Sequence, residues 1–176
     1  MGTGGVVAAA ALAGAVAAGA GGLAASADPD EIWQGTGLRV VDRAARSDTE
    51  CVPHSFGQLR QLLTATPCVA LDRVLFTLTD DRGGTIVVSV AWVEFGDADA
   101  AREFKRVEDI HGTGDITPLS GSLLLMNDVP FSAYNYDSDT LDGTTVVVAE
   151  TEAVSGGFTA EYLDDVAGIA VRTPRP

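Results

Sequence analysis

The chain has 176 residues, of which 11 are basic and 25 acidic, giving a formal net charge of −14. This length suits a single domain. The acidic balance excludes a nucleic-acid-binding protein, because phosphate contacts need clustered Lys and Arg side chains. Two cysteines are too few for a disulfide-rich miniprotein or a four-cysteine zinc module.

The first 27 residues contain no charged side chain and are rich in Ala and Gly. The run 4–25 is long enough to span a bilayer as a helix, whereas Ala25-Ser26-Ala27 fits the small-x-small pattern of a cleavage site. Residues 1–27 are therefore interpreted as a signal peptide or a transmembrane anchor, with a disordered Ala/Gly tail as the alternative. The first interpretation predicts a protein on the outer face of the cell membrane, or one secreted from it. Residues 28–37 are predicted to form a polar stem, and residues 38–173 a single α+β domain.

Cys51 and Cys68 are 17 positions apart and flank a short helical pattern. In an exported protein such a pair predicts a disulfide, which would stabilise the fold by about 3 kcal/mol through closure of the loop. Two buried thiols are one alternative. A metal site that includes His54 is another, although the spacing fits no standard zinc site.

The first half of the domain is predicted as a strand, a helix and a hairpin. In chain order, these are a strand from Leu38 to Val41, a helix from Ser55 to Thr66, and strands 71–79 and 85–95 joined by a turn at 80–84. Ser55 and Gln58 fit a capping box at the start of the helix. The second hairpin strand is apolar on both faces, which predicts a central strand covered twice. One cover is expected to be helices and the other a second subunit, so a homodimer is predicted.

The second half is predicted as a helix over 97–111 and then strands and a final helix. Ala100, Phe104, Val107 and His111 form the expected inward stripe of the helix. The later elements are short strands 122–126 and 131–136, an acidic loop 137–143, a strand 144–152 and a helix 160–170. The order β-α-β-β-α-β-β-α begins like the ferredoxin-like split βαβ. The predicted fold is therefore α+β: an antiparallel sheet with helices packed on one face, in ferredoxin-like order, plus an extra strand and a C-terminal helix.

The acidic loop is the candidate calcium site. Asp137, Asp139 and Asp142 carry the hard oxygens that Ca²⁺ prefers, so a weak calcium site is predicted there. The EF-hand pattern fails because Leu141 occupies its fifth position. A solvated hairpin loop is the alternative, since Asp and Gly are common turn formers. No other cofactor is predicted.

Catalytic patterns are absent from the sequence. His54 and His111 lack a recognisable nucleophile partner, and no G-x-S-x-G motif occurs. The loop Gly112-Thr113-Gly114-Asp115 follows a helix instead of a strand, which argues against a dinucleotide-binding loop. No catalytic residue is therefore predicted.

Aromatic residues form the candidate ligand pocket. The five candidates are Trp92, Phe95, Phe104, Tyr134 and Tyr136. In a dimeric ferredoxin-like protein, such a set can line a ligand pocket between sheet and helices. Ordinary core packing is the alternative.

The stretch from Cys51 to Leu119 resembles small exported α+β proteins of unknown function from high-GC bacteria. The residues that carry this resemblance are Cys51, Thr66-Pro67-Cys68, the strand 88–93 and the loop 112–115. The resemblance implies export but no activity. The leading hypothesis is an exported, non-catalytic domain that binds an envelope protein or a small ligand. The alternative is a small dimeric ferredoxin-like enzyme or ligand carrier that uses the aromatic pocket.

Overall fold

The computed structural model describes Met1, residues 30–119 and residues 129–176. The predicted leader and the strand candidate 122–126 lie outside the described residues. Within the described ranges, no helix is both long and apolar enough to cross a membrane.

In the described residues, five strands and three α-helices build the domain. The strands are β1 (Leu38–Asp48), β2 (Ala70–Asp80), β3 (Thr85–Glu94), β4 (Tyr136–Leu141) and β5 (Thr145–Ser155). The helices are α1 (Gly57–Ala65), α2 (Ala98–Glu108) and α3 (Ala160–Ala170), and short 3-10 turns lie at Glu31–Trp33 and Val52–His54. The strands form one sheet in the order β1-β2-β3-β5-β4, and every neighbouring pair is antiparallel. The predicted α+β class with an antiparallel sheet is confirmed.

The ferredoxin-like order is not confirmed. A split βαβ unit keeps the two strands of its first βαβ parallel and separates them by another strand. Here β1 pairs directly with β2, with Leu38 opposite Asp80 and Asp48 opposite Leu71. The connection that contains α1 therefore brings the chain back beside β1, so that β2 runs antiparallel to β1 and pairs with it directly.

Helices cover both faces of the sheet, so the prediction of helices on one face is wrong. The α3 face of β3 carries Ile86, Val88, Val90 and Trp92, which pack with the inward side chains of α3. The opposite face, here the α1–α2 face, carries Ala91, Val93 and Phe95, which pack with α1 and α2. The predicted double cover of β3 is thus present, but within the described residues both covers come from this chain instead of one coming from a second subunit.

Part of the predicted stem belongs to the packed domain. Trp33 is 1% exposed, and its ring meets the ring of Phe76 edge-on at 5.6 Å between centroids. At the other end of the chain, Arg175 forms ion pairs with Asp72 and Glu94. Both segments therefore extend the folded unit beyond the predicted limits of 38–173.

Helix α2 is shorter than predicted, and its inward face agrees with the predicted stripe except at His111. The Asp97 side chain accepts hydrogen bonds from the N–H groups of Asp99 and Ala100, which fixes the first turn. Phe104 is buried, and Ala100 and Val107 pack against the same core. Because the helix ends at Glu108, His111 lies beyond it and is exposed, so the predicted stripe is wrong at His111.

Strand β4 occupies the sequence that was predicted as an acidic loop. Residues 131–136, predicted as a strand, contribute only Tyr136 to it. Among the strands that the structure describes, β4 pairs only with β5 and so lies at an edge of the sheet, and its side chains are exposed or half-buried. Aspartate in a strand costs little at such a solvated edge, so local propensity was misleading here.

The start of α1 is held by a distant loop instead of a capping box. Ser55 Oγ donates to the carbonyl of Val52, and Phe56 occupies the N-cap position without a side-chain hydrogen bond. The backbone bonds run from Phe56 N to Asp115 O (3.0 Å), from Gln58 N to Thr113 O (2.5 Å) and from Thr117 N to His54 O (2.8 Å). This pairing of 54–58 with 113–117 is called the clasp below.

Two glycines make the clasp possible. Gly57 (φ +65°) and Gly114 (φ +116°) are in the left-handed region, and their backbones touch. A Cβ on Gly114 would overlap the carbonyl of Phe56, and a Cβ on Gly57 would overlap that of Thr113. Neither position therefore accepts a larger residue without displacing the other strand of the clasp.

Gly114→Ala is expected to lower the free energy of unfolding by about 2–4 kcal/mol, as the sum of left-handed strain and backbone overlap. The matched control is Gly112→Ala, because Gly112 (φ +84°) also has a positive φ but has open space around its Cβ position. This control is expected to cost only the strain, about 1–2 kcal/mol. Urea denaturation measures both, and equal losses in the two variants would contradict the proposed overlap.

Candidate functional site

Three carboxyl groups meet in the interior of the α1–α2 face. Glu108 ends α2, Asp115 lies in the clasp, and Glu150 projects from β5. Their side chains are buried, with relative exposures of 6%, 7% and 5%. These three residues are called the carboxyl cluster below. Buried acidic groups are uncommon unless they are paired, so the cluster is the most unusual chemical feature of the domain.

A row of polar residues across three neighbouring strands of the sheet positions the cluster. Ser89 on β3 lies opposite Glu150, and Tyr136 on β4 lies opposite Glu150 on its other side. The row separates two apolar groups on the same face of the sheet. One contains Ala91, Val93, Val146 and Val148, and the other contains Ala44, Leu75, Val87 and Leu119. The cluster therefore interrupts what would otherwise be a continuous apolar core.

Burial strongly perturbs two members of the cluster. Burial, together with the neighbouring Asp115 carboxyl, raises the pKa of Glu108 far above its ordinary value. Burial and Asp115 also raise the pKa of Glu150, with a further contribution from Glu152. Both shifts favour the protonated, neutral form of these carboxyls. Groups with such shifts concentrate at functional sites.

A charged network borders the cluster at Asp109. Lys105 Nζ donates to both Asp109 oxygens at 3.0 and 2.9 Å, and Ser138 Oγ donates to Asp109 Oδ1 at 2.6 Å. Although burial opposes it, the Ser138 hydrogen bond and the Lys105 charge lower the pKa of Asp109. The hydroxyl of Tyr136 also donates to Asp109, and burial raises the pKa of this tyrosine. The surroundings of Asp109 thus favour its ionised form, whereas those of its neighbour Glu108 favour the protonated form.

Two cavities adjoin the cluster. The larger, called the Glu108 cavity below, has a volume of about 70 Å³ and is lined by Glu108, Asp109, His111, Asp115 and Tyr136 with adjacent backbone. The smaller, about 10 Å³, lies between Ser89, Asp115 and Glu150, and is of the size of one water. Glu108 Oε2 is buried and accepts no hydrogen bond from any described residue. Glu108 therefore lines the cavity and also holds one carboxyl oxygen without a described hydrogen-bond partner.

The predicted aromatic pocket does not assemble as one site. Trp92 is fully buried on the α3 face, whereas Phe95 and Phe104 pack together on the α1–α2 face at 5.2 Å between ring centroids. Tyr134 is 75% exposed and stacks on His111. Of the five, only Tyr136 lines the Glu108 cavity. The interpretation as core packing fits the three buried rings.

The predicted calcium ligands are spread over β4 and its turn. Asp137 and Asp139 lie on the edge strand, and Asp142 occupies the turn with φ +53°. Asp142 Oδ1 accepts hydrogen bonds from the N–H groups of Thr144 and Thr145, a turn-forming role. In the parts of the chain described, no three His, Cys, Asp or Glu side chains are grouped so as to hold a metal ion.

The predicted disulfide is present. Cys51 and Cys68 are joined, with their Cα atoms 6.1 Å apart. The bond ties the segment before α1 to the start of β2. His54, three residues after Cys51, lies 3.3 Å from Asp48, which also pairs with Arg73. The disulfide and this ion network both hold the strand of the clasp that positions Asp115.

The carboxyl cluster was missed by sequence reasoning, although two signals were available. Glu150 interrupts the run Val146-Val147-Val148-Ala149 at an inward-facing position, where alternation predicts an apolar residue. Glu108 follows Phe104 at helical spacing, on the face of α2 that is buried. Asp115 gave no signal, because its burial depends on the clasp.

A broader cleft lies at the opposite end of the sheet. It has a volume of about 480 Å³, and the stacked rings of Phe158 and Tyr162 form part of its wall beside the 80–84 turn. Asp80 Oδ1 there already accepts hydrogen bonds from the N–H groups of Arg82 and Gly84. As far as the structure describes the chain, no buried polar atom without a partner lies in this cleft. The cleft therefore makes a weaker case for a site than the Glu108 cavity.

No protein-family model, curated protein or solved structure matches the chain. The resemblance to exported proteins of high-GC bacteria thus stays a prediction, and the site is interpreted from its own chemistry.

The free energy of unfolding is expected to rise as the pH falls from 8 to 5. A carboxyl whose pKa is raised in the folded state stabilises the fold fully below its ordinary pKa of 4.5, and this stability is lost as the pH rises toward the folded pKa. Each such group contributes up to about 1.4 kcal/mol per pH unit. Urea denaturation at several pH values measures the slope.

Glu150→Gln is expected to reduce this slope and to stabilise the protein at pH 8 by about 1–3 kcal/mol, because a neutral amide avoids the cost of a buried charge. Glu161→Gln removes the same charge from an exposed position in the first turn of α3 and should leave the slope unchanged. If the two variants have the same slope, Glu150 is not the titrating group.

Proposed function

We propose that the chain is an extracytoplasmic, non-catalytic domain that binds a ligand or a partner protein at the cell envelope. The observation that carries this proposal is the connection between the disulfide and the carboxyl cluster. The Cys51–Cys68 bond holds the segment that forms one strand of the clasp, and the other strand carries Asp115 into the cluster. Structural disulfides persist in oxidising compartments, which supports export.

The binding role is supported by the Glu108 cavity. It is lined by the end of α2, the loop that follows and the start of β4, and Glu108 there has a buried carboxyl oxygen without a described hydrogen-bond partner. The helix end and the strand hold part of this lining in place, which lowers the cost of ordering on binding.

The attachment of the domain to the membrane follows from the interpretation of the leader. If residues 1–27 are removed, the mature chain begins at Asp28 and is secreted. If they remain, residues 4–25 tether the domain to the outer face of the membrane. Both forms place the Glu108 cavity outside the cytoplasm.

The alternative of a dimeric ferredoxin-like enzyme or ligand carrier receives less support. The ferredoxin-like strand order differs from the order found in this chain. The aromatic residues of the predicted pocket also lie on opposite faces of the sheet. A coloured cofactor or a stable dimer in the purified protein would favour it.

Intact mass of the native protein, from both membrane and culture fluid, tests the proposed location. Thiol alkylation is expected to add no mass before reduction and two labels after reduction. A mass that begins at Asp28 in the fluid identifies a secreted domain, and a full-length mass in the membrane fraction identifies an anchored one. Two labels on the unreduced native protein would contradict the proposed export.

A further inference from the structure

We propose that the Glu108 cavity binds a primary ammonium group on an alkyl chain, and that its occupant is a lysine side chain presented by a partner protein. The inference rests on the proposed binding function and specifies the chemistry of the ligand.

The carboxyl cluster lacks a cation of its own. Within the described ranges, Glu108, Asp115 and Glu150 form no ion pair with Lys, Arg or His. Lys105 is the only lysine in the sequence, and its Nζ is held by Asp109. An isolated buried carboxylate is strongly disfavoured. The cluster is therefore neutralised either by protons or by a cation from another molecule.

Entry of a cation favours the carboxylate form of the nearest acid. For each ammonium group bound, a carboxyl of the cluster then releases a proton to the buffer. Neighbouring groups set the background for this exchange. The titratable and charged groups that face the cluster from α2, the following loop, β4 and β5 are Lys105, Asp109, His111, Tyr136 and Glu152. Lys105 pairs with Asp109, while the Asp109 charge contributes to the raised pKa of Glu108, so this pair does not supply the cation that Glu108 lacks.

The size of the cavity suits the charged end group of a longer molecule and is too small for a whole small-molecule ligand. Its volume of about 70 Å³ exceeds the ~10–15 Å³ that one water needs. It is far below the ~300–1,000 Å³ of pockets that enclose small molecules. An ammonium is a compact point charge, whereas the guanidinium of arginine is a broad planar fork. The cavity therefore favours the tip of a lysine over that of an arginine.

The rim of the cavity suits the alkyl stem of a lysine. Ile110 and Tyr134 are 50% and 75% exposed beside it, and the Tyr134 ring stacks on His111 at 4.9 Å between centroids. Lysine stems pack on apolar surface while the charged end stays in a polar site. Exposed aromatic rings are also enriched in surfaces that bind proteins. The apolar rim thus favours a protein-borne amine over a free small amine.

Calorimetric titration of the full chain with n-butylammonium chloride tests the site. This salt replaces an equal concentration of sodium chloride, so that the ionic strength stays constant. We expect saturable binding at one site and release of a proton at pH 7, detected as a different heat in phosphate and MOPS buffers, neither of which contains a primary amine. Glu108→Gln keeps the side-chain volume but removes the charge, and is expected to weaken binding at least tenfold. Absence of saturable binding, or equal binding by Glu108→Gln, would overturn the inference.

Two variants keep this experiment interpretable. Glu161→Gln removes one charge on the opposite face of the sheet, and it should bind butylammonium like the parent chain. A tenfold loss in this variant would mean that only the net charge of −14 attracts the amine, which overturns the site. Asp115→Asn provides a second variant within the cluster, and its binding is also expected to weaken.

Capped tripeptides with a central Lys or Arg distinguish the source of the amine. The Lys peptide is expected to bind at least tenfold more tightly than the Arg peptide. Binding of butylammonium without binding of the Lys peptide would assign the site to a free amine and overturn the lysine occupant. If no amine binds although the protein is exported with its disulfide intact, only the inference about the ligand is overturned. Free thiols in the native protein would instead overturn the proposed function.

Discussion

The backbone pairing between 54–58 and 113–117 is the constraint on which the rest of the α1–α2 face depends. Gly57 and Gly114 allow the two segments to touch, and the disulfide and Arg73 anchor them from either side: Arg73 donates to the carbonyl of Thr117 at 2.9 Å. Through this pairing α1 begins without a side-chain cap. Asp115 is also brought over β5 by it, beside Glu150.

The carboxyl cluster places acidic groups where apolar side chains would pack the core more favourably. An apolar residue at position 150 would join the two hydrophobic groups that the polar row now separates, and folding would avoid the desolvation of a carboxyl. Natural proteins sit just above the stability that they need, and destabilising groups are commonly retained where function uses them. The strong local anchoring of the clasp offsets this cost and keeps the cavity shaped in the absence of a ligand.

The local sequence pattern predicted the elements whose burial depends on residues close to them in the sequence. Helix α3 has its predicted bounds, and β2 and β3 match the predicted hairpin within a residue or two, because alternation and turn chemistry are local signals. β4 was missed because an edge strand tolerates aspartates. The sheet order and the burial of Asp115 were not predictable, since both depend on pairings between segments far apart in the sequence.

The composition of the two edge strands bears on how the protein behaves at high concentration. Unpaired strand edges are templates for aggregation, and charged side chains or bulges block that route. β1 is irregular between Val40 and Asp42 and exposes Arg39, Asp42 and Arg46 along its length. β4 has only six residues and carries Asp137 and Asp139. The aspartates that suggested a calcium loop thus oppose pairing of this edge with the edge of another molecule, so the domain is expected to resist edge-to-edge aggregation at high concentration.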